Sequence, residues 1–203
     1  MNPLGTKVLI SVGVTGALGG AGYGIHALTS SPDTSDTSDT LSNFFKKDST
    51  IKLVSQDDGS EAAWTKAHDA YLLEKDEVGL SITDKTINNG TDIKDWCASA
   101  LTKTIRSTSD LLYRQAKKWC TEFKTISEQI GSTKTREEDL ATLDGKHGAL
   151  DEKIKQALKQ ITDVSGNNQN GAKLKKWCDN NLKRSYSDVQ EYYYKHIVSN
   201  CYK

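Results

Sequence analysis

Two pairs of cysteines with equal spacing constrain this chain more than any other feature. Cys97 and Cys120 lie 23 residues apart, and so do Cys178 and Cys201. Three of the four tryptophans stand immediately before a cysteine: Trp96 in "KDWC", and Trp119 and Trp177 in "KKWC". An ungapped offset of 81 lays Lys94, Trp96, Cys97, Leu101, Tyr113 and Cys120 onto Lys175, Trp177, Cys178, Leu182, Tyr194 and Cys201. Lys103/Arg184, Asp110/Glu191 and Arg114/Lys195 add conservative matches. The pattern reads as two copies of one unit, residues 94–120 and 175–201.

On one straight helix such a spacing would span roughly 34 Å, far beyond the ~5.5 Å Cα separation of a disulfide. Both units, however, carry turn and cap residues midway, "RSTSD" at Arg106–Asp110 and "SYSD" at Ser185–Asp188. A turn there makes a helical hairpin and returns the second cysteine opposite the first. An even cysteine count in an exported chain favours disulfides. The expected bridges are Cys97–Cys120 and Cys178–Cys201, each worth about 3 kcal/mol in the chain-entropy model. Trp96, Trp119 and Trp177 are then structural anchors packed over the bridges. Four cysteines allow other connectivities, and reduced thiols in a helical core are the plainer alternative.

Export is argued from the N-terminus. Val8–Leu28 is an apolar run with no Asp, Glu, Lys or Arg, about the 20 residues a bilayer-spanning helix needs. Lys7 precedes it and Asp33, Asp36 and Asp39 follow, which predicts a cytoplasmic N-terminus and an outward-facing C-terminal head. Gly16, Gly20 and Gly24 share one helix face and suit close helix packing in lipid. A cleaved signal peptide with a small-residue cut site is the competing reading, and the head is then secreted. Residues 1–29 are thus anchor or signal, with membrane lipid as partner. The Ser/Thr/Asp-rich tract at 30–48, containing "DTSDTSDT", is expected to be a disordered stalk, because it cannot bury apolar surface. The head is 49–203.

Prolines occur only at Pro3 and Pro32, so ring sterics forbid no helix in the head. Ser60 is placed to cap a helix carrying Trp64, Ala67, Tyr71 and Leu72. Leu112, Ala116, Trp119, Phe123, Ile126 and Ile130 alternate spacings of four and three, a coiled-coil-like seam. Leu140, Leu143, His147, Leu150, Ile154, Ala157, Ile161 and Val164 do the same after a Thr135/Glu138 capping box, with Gly145 and Gly148 predicting a break. The last segment carries Tyr186, Tyr192, Tyr193 and Tyr194. The expected fold is all-α, a helical bundle of two related hairpin units preceded by a transmembrane helix and a disordered stalk.

Reactive chemistry is sparse. No C-x-x-C is present to supply a resolving thiol, and the cysteines are too far apart for a usual zinc ligand set. His26, His68, His147 and His196 are isolated, and no metalloprotease, nucleophile-elbow, phosphate-loop or calcium-loop pattern occurs. His68-Asp69 and Glu137-Glu138-Asp139 read as solvated helix faces, as do Lys117-Lys118 and Lys173–Lys176. With 27 basic and 27 acidic residues there is no net field to attract nucleic acid. No catalytic, cofactor or metal residue is assigned, and the chain is not expected to be an enzyme.

A short Gly/Ala-rich apolar N-terminus, a polar spacer and a lysine-rich head with repeated "KKWC" motifs resemble the paralogous membrane and surface proteins of haemotropic mycoplasmas. The likeness covers most of the chain but rests on layout and one short motif. It implies a surface protein involved in antigenic display or contact with a host-surface protein; it carries over no functional residues. The expected function is a membrane-anchored binding or display module. The alternative is a self-associating scaffold of the cell envelope, joined through the heptad seams and the glycine-spaced anchor.

Overall fold

The computed structural model describes residues 38–187 and 190–203. The expected anchor segment 1–29 with Gly16, Gly20 and Gly24, and residues 30–37 of the expected stalk, lie outside them. No helix among the described residues is long and apolar enough to cross a membrane.

Order begins earlier than the stalk composition implies. A two-residue strand β1 (Asp39–Thr40) leads into α1 (Leu41–Lys46), and Leu41 and Phe45 are buried, so the stalk does not extend to residue 48. Two apolar side chains one helical turn apart, with Thr40 as a cap accepting the Asn43 N–H, suffice to fix this arm. Then come α2 (Glu61–Glu74), α3 (Gly90–Thr102), the strand β2 (Thr104–Ile105) and α4 (Leu111–Trp119). The remainder holds α5 (Ile126–Ile130), α6 (Leu140–Lys146), α7 (Glu152–Lys159), α8 (Gln169–Asn181) and α9 (Glu191–Cys201). The fold is mainly α-helical, and β1 and β2 pair antiparallel with Thr40 opposite Thr104.

Both cysteine pairs are bridged as their spacing predicts. Cys97 and Cys120 join α3 to the end of α4, with Cα atoms 5.7 Å apart. Cys178 and Cys201 join α8 to α9 at 5.9 Å. The first turn falls at the expected midpoint, with Asp110 receiving the Arg106 N–H at 2.8 Å. In the second unit α8 ends at Asn181, and Asp188 of the expected turn lies outside the described residues. Trp96, Trp119 and Trp177 are all buried in the cores that hold these bridges.

The repeat is wider than the 94–120 and 175–201 windows. Thr40 caps α1 and Thr125 caps α5, and each short helix buries its first and fifth residues, Leu41 and Phe45 or Ile126 and Ile130. The Leu41 N–H donates to Lys103 O at 2.9 Å, and the Ile126 N–H to Arg184 O at 2.8 Å. After each second cysteine the chain makes one antiparallel bridge, Leu53 with Thr121 and Arg136 with Tyr202. The flanking bonds match too: Val54 N–H to Cys120 O and Glu137 N–H to Cys201 O, at 2.9 and 3.0 Å. Each Trp-Cys helix also carries in its first turn a glycine pressed against an earlier helix, Gly90 on α2 and Gly171 on α6. A Cβ on Gly90 would lie 2.6 Å from the Trp64 carbonyl carbon, and one on Gly171 would overlap the Leu140 carbonyl oxygen. The repeats are therefore 39–122 and 125–203, each with its own core.

Several local expectations give way. The seam from Leu112 to Ile130 is not one helix: α4 stops at Trp119, and residues 121–125 form bridges before α5 starts. A Thr125 capping box with Glu128 restarts the helix there. Residues 140–164 break around Gly148 into α6, a 3-10 turn at His147–Ala149 and α7, whereas Gly145 stays inside α6. Of that seam, Leu143, Leu150 and Ile154 are buried and Leu140 is exposed, while Leu158, outside the seam, takes the buried position in place of Ala157. Asp139, not Thr135, caps α6 by accepting the Thr142 N–H. Ser60 precedes α2 without capping it; its hydroxyl instead receives the Trp64 indole N–H at 3.1 Å. α3 is capped by Asn89, with Asp92 completing a capping box.

Candidate functional site

The least expected feature is a buried polar lock between the repeats. Glu74, the last residue of α2, is fully buried, and its carboxylate accepts the Ser185 N–H at 2.6 Å and the Ser185 hydroxyl at 2.9 Å. The Lys118 ammonium, from α4, lies 2.5 Å from the same carboxylate and donates to Ser185 Oγ at 2.6 Å. One turn on, Glu77 takes both terminal nitrogens of Arg184, at 2.9 and 3.2 Å, and the Tyr193 hydroxyl at 2.6 Å. Arg184 is almost completely buried; its Nε donates to Asn181, and its guanidinium sits 3.6 Å above the Tyr193 ring. Burial, and then donation to Glu77, pushes the Tyr193 phenol up to about 12. Every charge in the lock is partnered, which offsets the several kcal/mol that desolvating each ion costs.

Ser185 and Lys118 have the separation of a serine–lysine nucleophile pair, but the arrangement does not suit catalysis. Lys118 donates to both Ser185 and Glu74, so its nitrogen offers no lone pair to accept the serine proton. Ser185 is itself buried, and its hydroxyl donates to a carboxylate, not toward a cleft. The pair is a joint.

The other charged clusters singled out in the sequence scatter. Asp69 pairs with Lys183 at 3.1 Å, across the junction from His68, whose Nε2 is buried without a partner among the described residues. Glu137 is buried and receives the Asp139 N–H, while Glu138 pairs with Lys175 at 2.7 Å and Asp139 caps α6. Lys176 pairs with Asp163. Among the described residues no three His, Cys, Asp or Glu side chains are grouped as metal ligands. The tyrosine cluster divides: Tyr186 and Tyr194 meet edge to face at 5.1 Å, Tyr193 enters the lock, and Tyr192 donates to Asp151 at 2.5 Å.

Two clefts of about 430 Å³ flank Lys66 near the junction. One is lined by Thr65, Asp69, Thr125, Ser127, Asp179 and Lys183. Its charges are mutually satisfied, Lys183 by Asp69 and Asp179 by Arg136. The other is lined by Thr50, Lys52, Val54, Thr121, Phe123 and Lys124, and its Lys52 and Lys124 have no ion-pair partner among the described residues. Nothing in the sequence marks the lock or this cleft, because their residues lie up to 111 positions apart.

The fold and its bridges define a class: a tandemly duplicated, disulfide-stapled α-helical protein. Comparison with protein-family models, curated proteins and solved structures returns no match to this chain.

Proposed function

We propose that this chain is an outward-facing membrane protein of the haemotropic-mycoplasma type, whose stapled head acts by binding or display and not by catalysis. The carrying observation is that all four cysteines are bridged, one pair inside each repeat. Structural disulfides persist in oxidising compartments and are rare where thiols are kept reduced. The apolar run at 8–28 supports membrane attachment, and the DTS tract supports a short spacer ahead of the arm at Asp39. Small helical repeats with separate cores gain most from such staples, since each core is too small to supply a large margin alone.

The test is protease treatment of intact cells expressing the full chain, read with antibody against the head. The expected result is loss of the head while a cytoplasmic marker survives. A head that resists digestion until the membrane is breached would overturn the outward orientation.

A further inference from the structure

We infer that the cleft beside the repeat junction is a binding site for a small anionic sugar, a uronic or sialic acid. Its volume of about 430 Å³ falls within the roughly 300–1,000 Å³ of ligand pockets. The neighbouring cleft of equal size is a control within the same molecule: there each acid and base is taken up by another side chain. Here Lys52 and Lys124 are exposed on opposite chain segments and have no ion-pair partner among the described residues. Lys66, between the clefts, is held by Glu128 at 3.2 Å and by the Phe123 carbonyl at 2.9 Å. With Glu122 as the only acid in the lining, the cleft carries an excess of positive charge in a chain whose net charge is zero.

The rest of the lining narrows the ligand class. Val54, Ala63 and the half-buried Phe123 ring give an apolar wall for the C–H face of a pyranose. The Thr50 hydroxyl donates to Asp48 at 2.6 Å and the Thr121 hydroxyl to Lys117 O at 2.7 Å. Both oxygens therefore keep lone pairs for sugar hydroxyls. Glu122 offers a further acceptor. A carboxylate is left for Lys52 and Lys124. An inorganic ion would use the lysines alone and leave the wall idle. The inference goes beyond the display reading and holds wherever the head resides.

The experiment titrates the isotope-labelled, oxidised full chain with glucuronic acid, N-acetylneuraminic acid, neutral N-acetylglucosamine and inorganic sulfate, followed by amide NMR. The expected result is saturable shifts at residues 50–54, 63–66 and 121–124 with the acids and not with the neutral sugar. Affinity should fall at least tenfold in the double variant K52A/K124A and not in K46A/K159A, which removes two exposed lysines elsewhere. Substituting exposed lysines leaves folding intact, so loss of binding is not unfolding. The inference is overturned by the absence of acid-induced shifts, by shifts centred elsewhere, by unchanged binding in K52A/K124A, or by sulfate binding as tightly as the sugars.

Discussion

The two repeats share a frame and differ in filling. Each has a threonine-capped arm, a glycine seated on an earlier helix, a Trp-Cys helix and one bridge behind the second cysteine. The first repeat fills that frame with aromatic rings, Phe45, Trp64, Tyr71, Trp96, Tyr113 and Trp119. The second fills it mostly with aliphatic side chains, Ile126, Ile130, Leu143, Ile154, Leu158, Leu174 and Ile197. Trp119, which donates to Leu80 O at 2.7 Å, aligns with Asn200. Cores tolerate such exchange where volume is conserved, but backbone contacts without a side chain do not. The difference shows that this fold is specified by its caps, glycines and staples more than by any one set of core residues.

The joint between the repeats breaks the comparison most severely, because each repeat contributes different residues to it, Glu74, Glu77 and Lys118 from the first and Arg184, Ser185 and Tyr193 from the second. Glu74→Ala leaves Lys118 and the Ser185 N–H without their buried acceptor, and should cost about 3–5 kcal/mol in denaturant unfolding. Replacing Cys97 and Cys120 by serine should cost about 3 kcal/mol, and the same change at Cys178 and Cys201 a similar amount. Hydrogen exchange sharpens this: each double variant should lose protection first in its own repeat. Equal loss throughout would mean the cores are not separate. Gly90→Ala and Gly171→Ala should each destabilise by about 1–3 kcal/mol, the usual range for overpacking. Gly145→Ala, inside α6 where a Cβ meets nothing within 4 Å, should by contrast raise the melting temperature, by up to about 1 kcal/mol of helix propensity.

The smallest effect is in pH dependence. Asn43, Lys47 and the Thr40 N–H bind the Asp39 carboxylate and hold it down to about 2. Its folded value is depressed, so its contribution is present above pH ~4 and is lost as pH falls through about 2. Tyr193 runs the other way. Its folded value is raised, so its contribution is intact below pH ~10 and is lost as pH rises through about 12. Unfolding midpoints should fall at both extremes, and Tyr193→Phe should flatten the alkaline limb alone.

The bridges and hairpin turns were legible because distance and chain geometry leave few ways to close a 23-residue loop. The arm was not, since its match to Thr125–Ile130 consists of one threonine and two apolar positions, at an offset shifted from 81. The seam across Cys120 was misread because spacings of three and four continue by chance through an extended segment. The Thr125-x-x-Glu128 capping box was the signal that could have corrected it. Gly90 and Gly171 also fall on the 81-residue offset, just ahead of the aligned windows. The lock was beyond reach: Glu74, Glu77 and Arg184 look like solvated charges until the fold brings them together.

Peptide mapping of the native protein under non-reducing conditions shows whether each of the two repeats is closed by its own staple. Linked peptides are expected for Cys97 with Cys120 and for Cys178 with Cys201, with no free thiol. A bridge between the repeats, such as Cys97 with Cys178, or four alkylatable thiols, would contradict that pairing.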